Sequence, residues 1–407
     1  MRAKFVILSG LLILASLAFA PKAHAFAGGD GSVKNPYIIT TAAELDAVRN
    51  NLGAHYKLGK DIDLTEYLLP GNPGYHAGAG WKPIGSWDPA FSGVFDGGGY
   101  MISGLWSDRS GEHFIGLFAR IHEGTVESLT VETAGTGMKG NEQVGVLTGN
   151  IGSGTIRNCA AHGKVTGRIM AGGLVGYAGG SEYTIAYIEQ SHATADVSTT
   201  DYAAGGLIGL WASSGTVEKC YATGSVFSGG GTVGGFVGTA SSGLIRNCYA
   251  LGSAATDTRN AAGGFAGTLG AYGKITVENC YAVGSVSGED ASRVHGFVGT
   301  VGSFGADIAN CFFDVETTGQ TVGGSPGATG KSTEEMKTKT TFTDAGWDFE
   351  WIWGIGAHRN EGYPYFLAFR TGQIPRTGDS GKVLLWLILS AVFLTLFFAL
   401  GRKRRTQ

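Results

Sequence analysis

Gly234-Gly235-Phe236-Val237-Gly238 is followed seven residues later by Ile245-Arg246-Asn247-Cys248-Tyr249-Ala250, and both blocks return along the chain at a near-constant step. The first recurs as Gly172-Gly173-Leu174-Val175-Gly176, Gly205-Gly206-Leu207-Ile208-Gly209 and Gly263-Gly264-Phe265-Ala266-Gly267. Weaker copies stand at Ile115-Gly116-Leu117-Phe118, Val144-Gly145-Val146-Leu147 and His295-Gly296-Phe297-Val298-Gly299. Measured on the second glycine, the steps are 29, 28, 33, 29, 29 and 32 residues. The second block recurs as Ile156-Arg157-Asn158-Cys159-Ala160-Ala161, Val217-Glu218-Lys219-Cys220-Tyr221-Ala222, Val277-Glu278-Asn279-Cys280-Tyr281-Ala282 and Ile308-Ala309-Asn310-Cys311-Phe312. Short β-branched runs separated by Gly, Ser and Asn are the pattern of strands and turns, and no helical period crosses this region. A unit of this length cannot bury its apolar face alone, but copies stacked on one another can. The expected fold is all-β, a right-handed parallel β-helix (β-solenoid).

Composition agrees with one repetitive body. Of 407 residues, 70 are glycine and only 15% are charged, which describes no ordinary globular enzyme. Hydrophobic residues make up 43% and aromatics 11%, enough apolar surface to exclude a disordered glycine-rich linker. Nine prolines without a strict glycine triplet exclude collagen. A formal charge of −3 argues against a protein that coats nucleic acid.

The stacking assigns the cysteines. Cys159, Cys220, Cys248, Cys280 and Cys311 fall at equivalent positions, with Ser191 filling the gap after Cys159 and Leu129 one coil earlier. They form an inward column about 4.8 Å apart from coil to coil. An unstrained disulfide needs Cβ atoms about 3.8 Å apart, so buried free thiols are expected. The odd count and the lack of Cys-x-x-Cys spacing argue against zinc. Asn158, Asn247, Asn279 and Asn310 precede the cysteines, and Asn tolerates the left-handed backbone of a sharp bend; stacked amides would also bond rung to rung, with Lys219 and Gln190 as interruptions.

Catalysis on such a scaffold needs two or three carboxylates converging on one groove. The outward column Glu127, Arg157, Glu189, Glu218, Arg246 and Glu278 instead predicts a solvated ladder of opposite charges. Asp61 and Asp63 share one face of a strand, a weak calcium motif without the usual Asp/Asn/Gly loop, and no metal or other cofactor is expected. His122-Glu123 lacks the second histidine of His-Glu-x-x-His because residue 126 is Val. A binding surface remains. Tyr221, Tyr249, Tyr281 and Phe312, each following a cysteine, are expected to point outward as a stripe. Such a row either meets sugar rings or a partner's apolar ridge, or simply stacks ring on ring to stiffen the coil. Residues 66 to 90, with Tyr67, Tyr75, Trp81 and Trp87, depart longest from the pattern and form a second candidate surface.

The two ends carry address signals. Arg2 and Lys4, the apolar run Phe5 to Ala20 and Ala23-His24-Ala25 read as a signal peptide ending at residue 25. Val383 to Leu400 is long enough to form a transmembrane helix, and Arg402-Lys403-Arg404-Arg405 would hold its far end in the cytoplasm. Removing both segments drops the formal charge from −3 to −10.

The pentapeptide Ile374-Pro375-Arg376-Thr377-Gly378, followed by that helix and basic tail, resembles the cell-wall sorting signal of Gram-positive surface proteins, Leu-Pro-x-Thr-Gly, with Ile in place of Leu. The resemblance implies a sortase that cleaves after Thr377 and joins it covalently to peptidoglycan. The repeat itself resembles the GLUG-motif repeats (Gly-Leu-any-Gly) of bacterial surface proteins and of the noncatalytic part of some immunoglobulin-A-cleaving metallopeptidases. The likeness covers roughly residues 111 to 315. Asn35 to Ile39 with Ala43 to Arg49 looks like the opening strand and short capping helix of such proteins. Trp347-Asp348-Phe349 and Gly362-Tyr363-Pro364-Tyr365 look like their closing segment.

The expected organisation is a signal peptide (1–25), an N-terminal cap and first coils (26–110), the repeat β-helix (111–320), a C-terminal capping segment (321–372) and the sorting signal with helix and tail (373–407). The expected role is noncatalytic: adhesion or ligand display at the cell wall, toward a glycan or a host or neighbour-cell protein. A polysaccharide lyase or glycosidase, and a plain spacer, are the alternatives.

Overall fold

The computed structural model describes residues 26–180 and 183–367. The signal peptide, the sorting residues Ile374 to Gly378, the apolar segment 383–400 and the basic tail lie outside the described residues. Among the described residues no helix is long and apolar enough to cross a membrane.

The chain is a parallel β-solenoid. One sheet of ten strands runs from Tyr37–Ile39 to Ala306–Ala309, each strand hydrogen-bonded in parallel to the equivalent strand of the next coil. Its register places Val126, Ile156, Ile188, Val217, Ile245 and Val277 in one file. All six are fully buried. A second sheet of seven strands, Phe118–Ile121 to Val298–Val301, carries one strand for each glycine pair recognised in the sequence. Between them most coils carry two or three short strands, such as Tyr221–Ala222, Val226–Ser228 and Thr232–Gly234, while two early coils carry a single long one, Met101–Ile115 and Thr130–Val144.

The sharp bend after each strand of the first sheet is left-handed. Ser128, Asn158, Gln190, Lys219, Asn247, Asn279 and Asn310 all have φ between 48° and 54°. The requirement is therefore the backbone conformation, which Asn adopts at least cost and which the surrounding pairing also imposes on Lys219 and Gln190. The expected run of amide-to-amide bonds is not what links the rungs. Asn158 Nδ2 donates to Ser128 Oγ at 3.3 Å, whereas Asn279 Oδ1 is buried without a partner. Coil-to-coil bonding at the bend runs through the backbone instead, as in Asn247 N to Glu278 O at 3.1 Å.

The bend resets the alternation, so each cysteine points inward and the residue after it points out. All five cysteines are buried and free. Their thiols donate to carbonyls of their own and the preceding coil, Cys220 Sγ to Glu218 O at 3.2 Å and to Ile188 O at 3.5 Å. Burial pushes the Cys159 thiol up to about 12. The folded protein should therefore leave a thiol reagent at pH 8 unconsumed and take up five equivalents on denaturation; fast labelling before unfolding would contradict the inward column.

The charged column pairs in part, since Glu189 stands opposite the like-charged Glu218 in the register. Arg157 bonds Glu127, and Arg246 Nη2 lies 2.8 Å from Glu218 Oε2. These partly exposed pairs contribute about 0–1 kcal/mol each.

Both ends are closed. At the start, the short helix Ala42–Ala47 is held by a capping box, Thr41 with Glu44, and buries Leu45. At the far end, Ala328–Lys331 adds a strand in register with Cys311–Asp314, covering the edge that an open coil would offer to other chains. The chain then turns back along the outside of the solenoid. Phe342 meets Phe312 (5.3 Å between ring centroids), Trp353 meets Tyr281 (6.1 Å), and Phe366 meets Tyr249 (5.3 Å). The capping segment expected over 321–372 is thus an end plate followed by a strap.

Candidate binding surfaces

The strap decides the fate of the aromatic stripe. His192, Tyr221, Tyr249 and Tyr281 stack face to face, with centroids 4.5, 4.9 and 5.0 Å apart and interplanar angles of 8°, 2° and 10°. Phe312 completes the column, opposite Tyr281 in the register. The expected exposed stripe is corrected here: Tyr249, Tyr281 and Phe312 are buried, packed beneath Phe342, Trp347, Trp353, Tyr363 and Phe366. Only Tyr221, at the strap's edge, is half-buried. The Tyr281 hydroxyl donates to Pro364 O at 2.5 Å and accepts from Asn360 Nδ2 at 2.8 Å, so the strap satisfies the polar end of the stack as well as its faces. The stripe is an internal seam.

His192, at the open end of that stack, gives it a pH limit. Burial, and secondarily the neighbouring His162, lowers its pKa from 6.5 to about 4. A histidine depressed in the fold contributes stability that is complete above its unfolded value and is lost as pH falls toward the folded one. Between pH 6.5 and 4 the loss should reach roughly 2–3 kcal/mol. Denaturant titrations of the native chain and of His192→Phe at pH 7 and 4 should show a smaller acid loss in the variant; parallel losses would place the acid sensitivity elsewhere.

The second candidate surface, residues 66 to 90, resolves into one exposed aromatic. Trp81 is buried and donates from Nε1 to Leu117 O at 3.1 Å. Tyr75 packs edge-on to Trp106, and Tyr67 lies against the core. Trp87 remains 39% exposed. It sits on a loop that springs from two single parallel bridges, Ile84 to Phe118 and Phe91 to Ile121, onto the first strand of the seven-stranded sheet.

Beneath that loop lies Arg120. Register places it at the head of a file that continues Asn150, Tyr177, Leu210, Thr239, Thr268 and Thr300, so one coil alone carries a charge there. Arg120 is 9% exposed, and among the described residues it has no ion-pair partner. Its guanidinium stacks 3.8 Å from the Trp87 ring centroid and Nη1 donates to Trp87 O at 2.9 Å, while Nε has no hydrogen-bond partner. Burial lowers the Arg120 pKa, opposed by the charge of Asp88.

Trp87, Asp88, Ser92, Arg120, His122 and Glu123 line an open groove of about 360 Å³. His122 Nδ1 accepts from Ser153 N at 3.2 Å, which leaves Nε2 as the proton-bearing donor of the neutral ring. Gly152 leaves room for both side chains: a Cβ there would stand 2.6 Å from His122 Nδ1 and 2.9 Å from Arg120 Nη2. The sequence reading singled out Trp87 and His122 but not Arg120 or Asp88. The signal for Arg120 was its position two residues beyond Phe118 in a repeat where other copies carry neutral side chains.

The other proposed sites stay apart. Asp61 Oδ1 accepts from Met101 N of the next coil at 2.8 Å and Asp63 Oδ1 from Thr65 N at 2.8 Å, so one carboxylate links coils and the other holds a turn. Among the described residues no three His, Cys, Asp or Glu side chains converge as a metal site would need.

Fold and groove together define a parallel β-solenoid with one flank sealed by its own chain and a polar-aromatic groove near its first coils. The chain is 35% identical to a protein of Evansella cellulosilytica provisionally named a Gly-rich membrane protein, over 84% of this chain and 45% of that one. It is 36% identical to halomucin of Haloquadratum walsbyi over 36% of this chain and 2% of that protein. It spans less than half the length of these relatives. No family model matches. Among solved structures, a Bacteroides ovatus protein provisionally assigned as an immunoglobulin A1 protease has the same fold, with a TM-score of 0.51 at 21% identity, covering 84% of this chain and 95% of that one.

Proposed function

We propose that this chain is a GLUG-type surface protein, a right-handed β-helix exported by residues 1–25 and displayed outside the cell for noncatalytic adhesion or ligand binding. In this reading residues 383–400 hold it in the membrane of a Gram-positive bacterium until sortase joins Thr377 to peptidoglycan. The names of the two relatives, a membrane protein and halomucin, support a location at the cell surface. The observation that carries the binding role is the groove at Trp87, where one coil places a charged residue, Arg120, in a file whose later members are neutral. The groove contributes two carboxylates, Asp88 and Glu123, beside Arg120 and His122, which is the lower bound for a lyase or glycosidase; three acids and a base in one cleft, which would favour that alternative, are not gathered there. A plain spacer gains little, since even the ten rungs of the first sheet rise only about 43 Å.

Mass spectrometry of cell-wall digests tests the anchoring: peptides ending at Thr377 are expected. Intact C-termini alone would make the apolar segment a permanent anchor and remove sortase from the account.

A further inference from the structure

We infer that the groove of Trp87, Asp88, Arg120, His122 and Glu123 is a saccharide site that takes one neutral sugar ring. The inference rests on the adhesion reading and names its ligand.

An exposed indole beside hydrogen-bonding groups of both kinds suits a pyranose, whose C–H faces are apolar and whose rim is hydroxyl. Asp88 and Glu123 are exposed and accept hydroxyl protons; His122 offers an N–H and Ser92 lies on the wall. Arg120 sets the platform rather than the charge of the site. Its guanidinium is committed to the Trp87 ring and carbonyl, which fixes the indole over the coil before any ligand arrives. The charge of Asp88 acts on Arg120 without an ion pair between them, so the guanidinium is held by the Trp87 ring and carbonyl rather than by a carboxylate. The two carboxylates at the mouth outnumber the one cation behind them. Anionic sugars are therefore turned away by like charge, and neutral ones are not.

The test is binding of fluorescent glycans to cells displaying the full chain, with neutral hexans, uronic-acid polymers and sulfated glycans as separate probes. Neutral glycans should bind, Trp87→Ala should weaken binding by about tenfold or more, and Trp87→Phe should recover part of it. Asp88→Asn with Glu123→Gln keeps the shape and should weaken neutral binding while admitting uronic-acid polymers. Tyr100→Ala, an exposed aromatic outside the groove, should change nothing. Neutral binding that survives Trp87→Ala would overturn the groove as the site and leave adhesion standing. Binding of acidic glycans alone would overturn the ligand. No binding to any glycan, with retained attachment to host or neighbouring cells, would overturn this inference and not the adhesive role.

Discussion

A Gly234→Ala chain is expected to lose about 3 kcal/mol of stability or more, and to be recovered largely unfolded or aggregated. The added Cβ would lie 2.1 Å from Val237 O and 2.6 Å from Gly267 N. Both are backbone atoms, one in the same coil and one in the next, and neither moves without breaking the parallel pairing on either side. The same collision recurs one coil earlier, where a Cβ on Gly205 would stand 2.0 Å from Ile208 O and 2.5 Å from Gly238 N. Gly111 is the control: nothing lies within 4 Å of the position its Cβ would take. Its alanine variant should stay within about 0.5 kcal/mol of the native chain. Urea titrations of the two variants decide the matter. Equal midpoints would mean that the glycine pairs are not there to let one coil approach the next.

Tyr281→Ala is expected to cost about 3–5 kcal/mol, the range for deleting a buried aromatic, and to free the strap. The ring lies between those of Tyr249 and the strap residues Phe342, Trp347 and Trp353, so its loss leaves a void on both sides. Tyr281→Phe keeps the ring and loses only the hydroxyl bonds to Pro364 and Asn360, and should cost about 1–2 kcal/mol. Limited proteolysis separates the two effects. Segment 332–366 should be cut much faster in the alanine variant and slightly faster in the phenylalanine one. Unchanged resistance in both would show that the stack does not hold the strap. One corollary concerns binding experiments: replacing Tyr221, Tyr249 and Tyr281 together reports on folding before it reports on any ligand.

The coils were legible because stacking turns a spatial rule into a sequence period. Each glycine pair, each cysteine and each bend residue repeats for one local reason that acts in every coil. The strap was not legible in the same way. Phe342, Trp347, Trp353 and Phe366 follow no period, and nothing in their spacing tells whether they cap an end or lie along a side. The aromatic density of 347–353 is in itself the mark of a segment that needs an apolar partner. The row of tyrosines after the cysteines was the partner in want of cover, and each was read alone. At the Trp87 groove the difficulty was the opposite. Arg120 is informative only as the exception to a file of neutral residues, and that file exists only once the register is known.

The path of the last described residues bears on how the whole body is oriented. The chain does not leave from the tip. It runs back past three rungs, and Leu367 bonds Ile352 O beside the coils of Tyr221 and Tyr249. The last described residue thus lies on the flank, short of the tip, like a cleat set amidships. On the anchoring proposed above, tension applied at Leu367 would load the strap in peeling, and the aromatic seam would be the first joint to open.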